Sequence, residues 1–195
     1  MIWTIVIYLV VAVLVIGIAY AFFFYIERMV SLQRKCYPYV HSVGWLRRAV
    51  VADINAHYPH AATALEIGSG YGGMARKMAR QCGLRVVALE NMPMSAALSK
   101  CGDWITRANC RTHWCDAFDY LSQCEKFDIA VAYLGPGEYE RVAGYHDKFR
   151  VLITMDAPVA GLKPVRVVDV GHGYTRYALG RVKMPHRLFV YEFGK

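Results

Sequence analysis

The residues of this chain whose types and spacing bear on chemistry begin with Glu66 and a turn dense in glycine, Gly68-Ser69-Gly70-Tyr71-Gly72-Gly73. Glycine accepts positive φ and lets a ligand come close to the main chain. A helix that starts at such a turn points unpaired N–H groups into it, which suits an anionic or polar ligand. Glu66 stands two residues before the first glycine, where a carboxylate would meet a cationic group. Glu90 lies where an acid could accept from ribose hydroxyls, with Asn91 beside it. Asp116, followed by Ala117, ends a further apolar segment; it could accept from an adenine amino group or cap the next helix. Together these residues describe a site for a nucleotide-like ligand.

The elements that must position them follow from the pattern. Residues 62–67 read as a buried strand and 74–81 as a helix, so the glycine turn joins strand to helix. The alternation continues with strand 85–90, helix 95–105, strand 112–116, a short helix or turn at 118–124, strand 127–134, helix 138–145 and strand 150–156. A helix over 43–56 precedes them. The end is β-rich at 165–170, 177–182 and 187–193. Strand–helix alternation predicts a parallel sheet covered by helices, and the β-rich end predicts an antiparallel hairpin at one sheet edge.

Gly68-x-Gly70-x-x-Gly73 also fits the dinucleotide fingerprint, so a small NAD-binding oxidoreductase stays open on these residues alone. Glu66, Asp116 and a domain of about 150 residues, compact enough for one core and no separate substrate domain, favour another ligand. Glu66-Ile67-Gly68-Ser69-Gly70-Tyr71-Gly72, Val87-Ala88-Leu89-Glu90, Trp114-Cys115-Asp116-Ala117 and Phe127-Asp128-Ile129-Ala130-Val131-Ala132-Tyr133 resemble the motifs of the class I S-adenosylmethionine-dependent methyltransferases. The resemblance spans residues 45–195. It implies an α/β, Rossmann-like, doubly wound and mostly parallel seven-stranded sheet with a C-terminal antiparallel hairpin. It also implies S-adenosyl-L-methionine as cofactor, held by Glu66, Gly68, Ser69, Gly70, Gly72, Glu90, Asn91, Asp116, Ala117 and Tyr133. Tyr133 and Pro136, after the fourth strand, would line the methyl-transfer site. Glu138 could attract a cationic amine or serve as a first-turn helix acid. These three are candidates for catalysis; no residue stands out as the base. Tyr37-Pro38-Tyr39-Val40, Glu90-Asn91-Met92-Pro93 and Leu134-Gly135-Pro136 are similar to segments of small membrane-anchored protein-lysine methyltransferases, whose members modify the adenine nucleotide translocase or the ATP synthase c subunit. That family tends to carry Gly-Asp-Gly-Arg where this chain has Gly70-Tyr71-Gly72-Gly73, which leaves the substrate open. A non-catalytic scaffold with this fold is the alternative from another class.

Residues 2–26 carry no charge and are apolar almost throughout. A bilayer-spanning helix takes about 20 such residues. No Lys or Arg precedes the run, which argues against a cleaved signal. The expected organisation is a transmembrane anchor over 1–27, a juxtamembrane linker over 28–44 broken by Tyr37-Pro38-Tyr39, and a catalytic domain over 45–195. Tyr20, Phe22, Phe23, Phe24 and Tyr25 would form an aromatic belt. Arg28, Arg34, Lys35, Arg47 and Arg48 follow the run, so the positive-inside rule predicts a single-pass protein with its N-terminus outside and its domain cytoplasmic. The net charge of +8 favours an anionic leaflet. Without a dense basic stripe interleaved with aromatics, nucleic acid ranks behind the bilayer and a membrane-protein substrate as partner. The six cysteines form no Cys-x-x-Cys pair and no zinc spacing, so no metal and reduced thiols are expected. His57 and His60 read as surface residues.

Overall fold

The computed structural model of the chain describes residues 2–33, 42–135, 137–177 and 180–194. It separates into two compact units, Met1–Cys36 and Tyr37–Lys195. The expected break at Tyr37-Pro38-Tyr39 lies outside the described residues.

The first unit is one helix, α1 (Ile2–Gln33). It runs on past residue 26 because the polar residues that follow, such as Glu27 and Gln33, are good helix formers. Its segment Ile2–Phe22 is 21 residues long and exposed all round. At 1.5 Å per residue that is about 30 Å, enough to cross the hydrocarbon layer of a bilayer.

The second unit is a seven-stranded sheet in the order β3-β2-β1-β4-β5-β7-β6. The strands are β1 (Thr63–Ile67), β2 (Arg85–Glu90), β3 (Cys110–Trp114), β4 (Phe127–Ala132), β5 (Phe149–Met155), β6 (Arg166–Tyr177) and β7 (Gly180–Glu192). β1 to β5 run parallel, and β7 is antiparallel to both β5 and β6. The helices are α2 (Gly44–His57), α3 (Gly73–Gln81), α4 (Pro93–Thr106), α5 (Ala117–Gln123) and α6 (Glu138–Ala143). This is the Rossmann-like methyltransferase fold, with its antiparallel C-terminal hairpin.

Alternation along the strands divides the core. Ala64, Val86, Ala88, Ile129, Val131 and Ile153 pack under Leu46, Val50 and Ile54 of α2 and Met74 and Met78 of α3. Leu65, Ile67, Leu89, Ala130 and Leu152 pack on the other face against Leu121 of α5 and Tyr139 and Val142 of α6. The bidentate pair of Arg166 with buried Asp53, at 2.9 and 2.8 Å, ties β6 to α2. In a parallel sheet, ligands bind beyond the carboxyl ends of the strands. Here those ends are Ile67, Glu90, Ala132 and Met155, all at one edge.

The antiparallel hairpin is the expected one, but its strands run longer than the pattern marks. The β-rich stretches 165–170 and 187–193 belong to two long strands, β6 and β7, whose described parts also take in Tyr177 and 180–182, while residues 178–179 lie outside the described residues. Gly171, Gly173 and Gly180 interrupt the apolar pattern without ending the pairing. The register shifts between Asp169 and Gly171, where Asp169 accepts from the Gly171 N–H at 2.9 Å. Gly173 is required because a β-carbon there would collide with the Trp45 ring. At the other sheet edge, β3 begins and ends two residues before the expected 112–116, which leaves Asp116 beyond the strand.

Candidate functional site

The turn between β1 and α3 is held from both sides. The Gly68 and Ser69 N–H groups donate to the Leu89 carbonyl at 3.0 and 2.9 Å, extending the β1–β2 pairing into the turn. Gly68 has φ 73° and Gly72 φ 69°. A β-carbon on Gly68 would stand 2.7 Å from Leu134 Cδ2, so the chain leaving β4 closes directly over the turn. Ser69 is buried, and its Oγ has no hydrogen-bond partner. An orphaned buried hydroxyl is costly unless a polar ligand atom meets it, and it lies in the turn that the sequence assigns to the cofactor.

The acids sit as follows. Glu66 is buried and accepts from the Ala75 N–H at 2.8 Å, so it satisfies the first turn of α3 from the neighbouring strand. Burial is the largest influence on its carboxyl and pushes its pKa up from 4.5 to about 8; the Ala75 amide, Arg47 and Arg76 oppose this, and Glu90 adds to it. Glu90 Oε2 accepts from the Gly70 N–H at 2.6 Å and Oε1 from the Met92 N–H at 2.8 Å. It thereby clasps the turn to the end of β2. A carboxylate has about four acceptor positions, so these bonds are compatible with further hydroxyl donors. Asn91 follows, and its carbonyl accepts from Trp114 Nε1 at 3.2 Å. Asp116 is the N-cap of α5, with Oδ1 accepting from the Phe118 N–H at 2.8 Å, and Ala117 opens that helix.

Beyond β4 the structure assembles a group that the sequence did not reveal. The Tyr133 hydroxyl donates to Asp156 Oδ2 at 2.9 Å. Asp156 follows β5 and has φ 68°, a left-handed conformation that costs a non-glycine residue of the order of 1 kcal/mol or more. His186, fully buried in β7, brings Nδ1 within 2.9 and 3.0 Å of the Asp156 oxygens. The Arg187 N–H donates to Oδ1 at 3.3 Å. Trp45 packs edge-on against the His186 ring with centroids 4.3 Å apart. Tyr133 is thus fixed at the carboxyl edge beside the glycine turn. Pro136 lies outside the described residues. Glu138 stands in the first turn of α6 and pairs with Arg141 at 3.2 Å, and the Arg141 guanidinium stacks on Phe118.

Two arginines also escaped the sequence reading as site residues. Arg76 of α3 donates to the Tyr71 carbonyl at 2.5 Å and to Ser99 O and Asp103 Oδ1 at 3.2 Å, locking the turn to α4. Arg47 of α2 lies over Gly73, where any β-carbon would collide with it, and its Nε is buried without a partner. Arg47, Gly73, Arg76, Lys77, Arg80 and Gln81 line a basic cavity of about 290 Å³. Their signal in the sequence was helical spacing alone, since 76 and 80 share a helix face. Among the described residues, no group of His, Cys, Asp and Glu could hold a metal ion.

The sheet order, with a glycine turn clasped by a strand-end acid at its carboxyl edge, is that of the Rossmann-like methyltransferase fold. No family model and no curated protein matches the sequence. Among solved structures, an RNA methyltransferase from Salinibacter ruber in complex with S-adenosyl-L-homocysteine is similar, with a TM-score of 0.63 and 14% identity over 80% of this chain and 95% of that one. A precorrin-6y C5,15-methyltransferase from Geobacter metallireducens has a TM-score of 0.58 and 12% identity over 77% and 88%. A precorrin 8w decarboxylase from Methanobacterium thermoautotrophicum has a TM-score of 0.57 and 16% identity over 80% and 94%. At such identities the likeness is one of fold. These neighbours add no support to the narrower resemblance to protein-lysine methyltransferases.

Proposed function

We propose that this protein is a membrane-anchored S-adenosyl-L-methionine-dependent methyltransferase that N-methylates a protein lysine or another membrane-proximal amine. The observation that carries the cofactor is the buried, partnerless Ser69 Oγ in a glycine turn clasped by Glu90. Gly68, Ser69, Gly70 and Gly72 would present main chain and hydroxyl to it, Glu90 and Asn91 would hold the ribose, and Asp116 and Ala117 the adenine. Arg47 and Arg76 would supply positive charge for its carboxylate. Glu66, engaged with α3, would act on the ammonium only through the turn. When bound, this group supplies a methyl carbon already activated on sulfur. The protein's share is therefore to position an amine in line and to see it deprotonated.

Tyr133 suits that share. Its hydroxyl directs its proton to Asp156, and a phenolic oxygen can also act as an acceptor. A proton arriving from an ammonium at the Tyr133 oxygen would be matched by transfer of the phenolic proton to Asp156, which His186 and the Arg187 N–H hold in place. The apolar surroundings of Tyr133 and the nearby Leu134 also favour the neutral amine over the ammonium.

Calorimetry on the detergent-solubilised full chain tests the reading, with S-adenosylmethionine, S-adenosylhomocysteine and NAD as separate titrants. Binding of the first two, weakened by about 1–3 kcal/mol in Glu90→Ala, is the expected result. No binding of either leaves a scaffold with a methyltransferase fold, and binding of NAD alone replaces the cofactor assignment.

A further inference from the structure

Helix α4 is folded inside out. Its buried positions are Ser95, Ala96, Ser99 and Asp103. The polar ones among the last two turns form a network: Ser99 Oγ lies 2.7 Å from Thr112 Oγ1, Thr112 donates to Asp103 Oδ2 at 2.6 Å, and Arg76 reaches Asp103 Oδ1 at 3.2 Å. Apart from Lys100, its exposed positions are apolar. Leu98 is 46%, Trp104 82% and Ile105 70% exposed, and Ala97 and Cys101 are exposed with them. Spacings of three and four residues put these on one face. Trp114, 59% exposed, ends β3 at the free edge of the sheet, and its indole binds the Asn91 carbonyl just ahead of α4. Single exposed apolar residues are ordinary. An ordered apolar face on a helix that has turned its polar residues inward marks a contact surface.

The rim of this face is cationic. Lys100, Arg107 and Arg111 are exposed around it, while the helix's own acid, Asp103, is buried. Arg107 closes α4 in the left-handed conformation, φ 49°, where glycine is the ordinary occupant. A strained arginine there keeps a cation at the end of the helix next to Trp104.

We infer that the α4–β3 face docks on the anionic surface of a lipid bilayer, with Leu98, Trp104 and Ile105 entering the interface and Lys100, Arg107 and Arg111 meeting headgroup phosphates. Tryptophan with a basic rim is the chemistry of an interfacial contact. The choice of a bilayer over a protein rests on the reading of α1 as an anchor, because an anchored chain holds its own domain at high effective concentration near lipid. The contact borders the cofactor site through the Trp114–Asn91 bond, and it would restrain the domain against the surface that carries its acceptor.

Full-length protein in vesicles tests this. The emission lost on Trp104→Phe is measured by difference, in vesicles with brominated acyl chains, of either mixed phosphatidylglycerol and phosphatidylcholine or phosphatidylcholine alone. The expected result is a Trp104 emission that is blue-shifted and quenched by bromine in the anionic vesicles. Charge reversal at Lys100, Arg107 or Arg111 should each shift the docked-to-free ratio by about five-fold or more. Trp104 emission that stays water-like and unquenched overturns the inference, and so does equal quenching in neutral vesicles. A blue-shifted but unquenched Trp104 with a cross-linked dimer assigns the face to a second copy, which also overturns it. Alkaline carbonate extraction of the same vesicles reads α1 separately, so a failed anchor and a failed docking face give different results.

Discussion

Glu66 shows how a residue legible in sequence can hold a role other than the one its type announces. Its carboxyl is buried and raised to about 8, so the folded protein keeps its proton in a range where an unfolded chain has lost it. The sign follows directly. A folded-state pKa above the unfolded one stabilises at low pH, in full below 4.5, and that stabilisation is lost as pH rises through about 8. The wild type should therefore lose on the order of a few kcal/mol between these limits, whereas Glu66→Gln, which keeps an acceptor for the Ala75 N–H, should flatten the profile. Urea denaturation across pH checks this; parallel profiles for the two proteins would refute it. Asp156 yields a second test. Asp156→Ala strands the buried His186 and the Tyr133 hydroxyl and should cost about 2–3 kcal/mol. Asp156→Asn keeps an acceptor and tolerates positive φ, so its melting temperature should fall less. Glu66, Glu90 and Asp116 could be named from the sequence because each lies at or just past the carboxyl end of a strand segment. Tyr133 was named from its place after the fourth strand, but its grouping with Asp156, His186 and Trp45 was not legible, because these meet only through the order in which β4, β5 and β7 and α2 assemble.

At the scale of elements, alternation of apolar strands with basic amphipathic helices made the parallel half of the sheet readable nearly residue by residue. β2 occupies the range its pattern marks, 85–90. The hairpin was harder because glycines that serve packing against Trp45 and a register shift at Asp169 and Gly171 look like strand ends. The polarity of α4 was unreadable for a related reason. Its inward serines and Asp103 make sense only once Thr112 and Arg76 are brought beside them. The crossing of the glycine turn by the chain after β4 gives a test at this scale. Gly68→Ala places a methyl group against Leu134 at positive φ, and should lower stability by about 1–3 kcal/mol and weaken S-adenosylmethionine binding. Adding Leu134→Ala removes the collision but not the strain, so it should restore part of the stability. Chemical denaturation and calorimetry on both variants decide it; full rescue would show that φ contributes nothing. Asp53→Ala, which leaves Arg166 without its bidentate partner under β6, should be more damaging than any exposed ion-pair deletion, by about 2–4 kcal/mol.

For the whole molecule, the sequence predicts a division of labour between a bilayer anchor and a cofactor-binding domain, and the structure has a helix long and apolar enough to cross a bilayer and a separate sheet with a glycine turn at one edge. Such a design makes sense where the acceptor is also confined to the membrane, because tethering raises its effective concentration without any added contact. Charge sets the direction. Arg28, Arg34, Lys35, Arg47 and Arg48 follow the apolar run, so the positive-inside rule puts the domain on the cytoplasmic face as the outcome to test. Cysteine labelling in intact cells tests this directly, with Ser122→Cys as the domain reporter in a Cys101→Ser background, because Ser122 is exposed on α5 and lies off the α4 face. A membrane-impermeant maleimide should label Ile2→Cys from outside and should reach Ser122→Cys only after the cells are permeabilised. The converse pattern would invert the topology and place the methyltransferase site on the external face, where S-adenosylmethionine must be supplied by transport. Release of the full chain by alkaline carbonate would remove the anchor altogether, while leaving the fold and the cofactor test untouched.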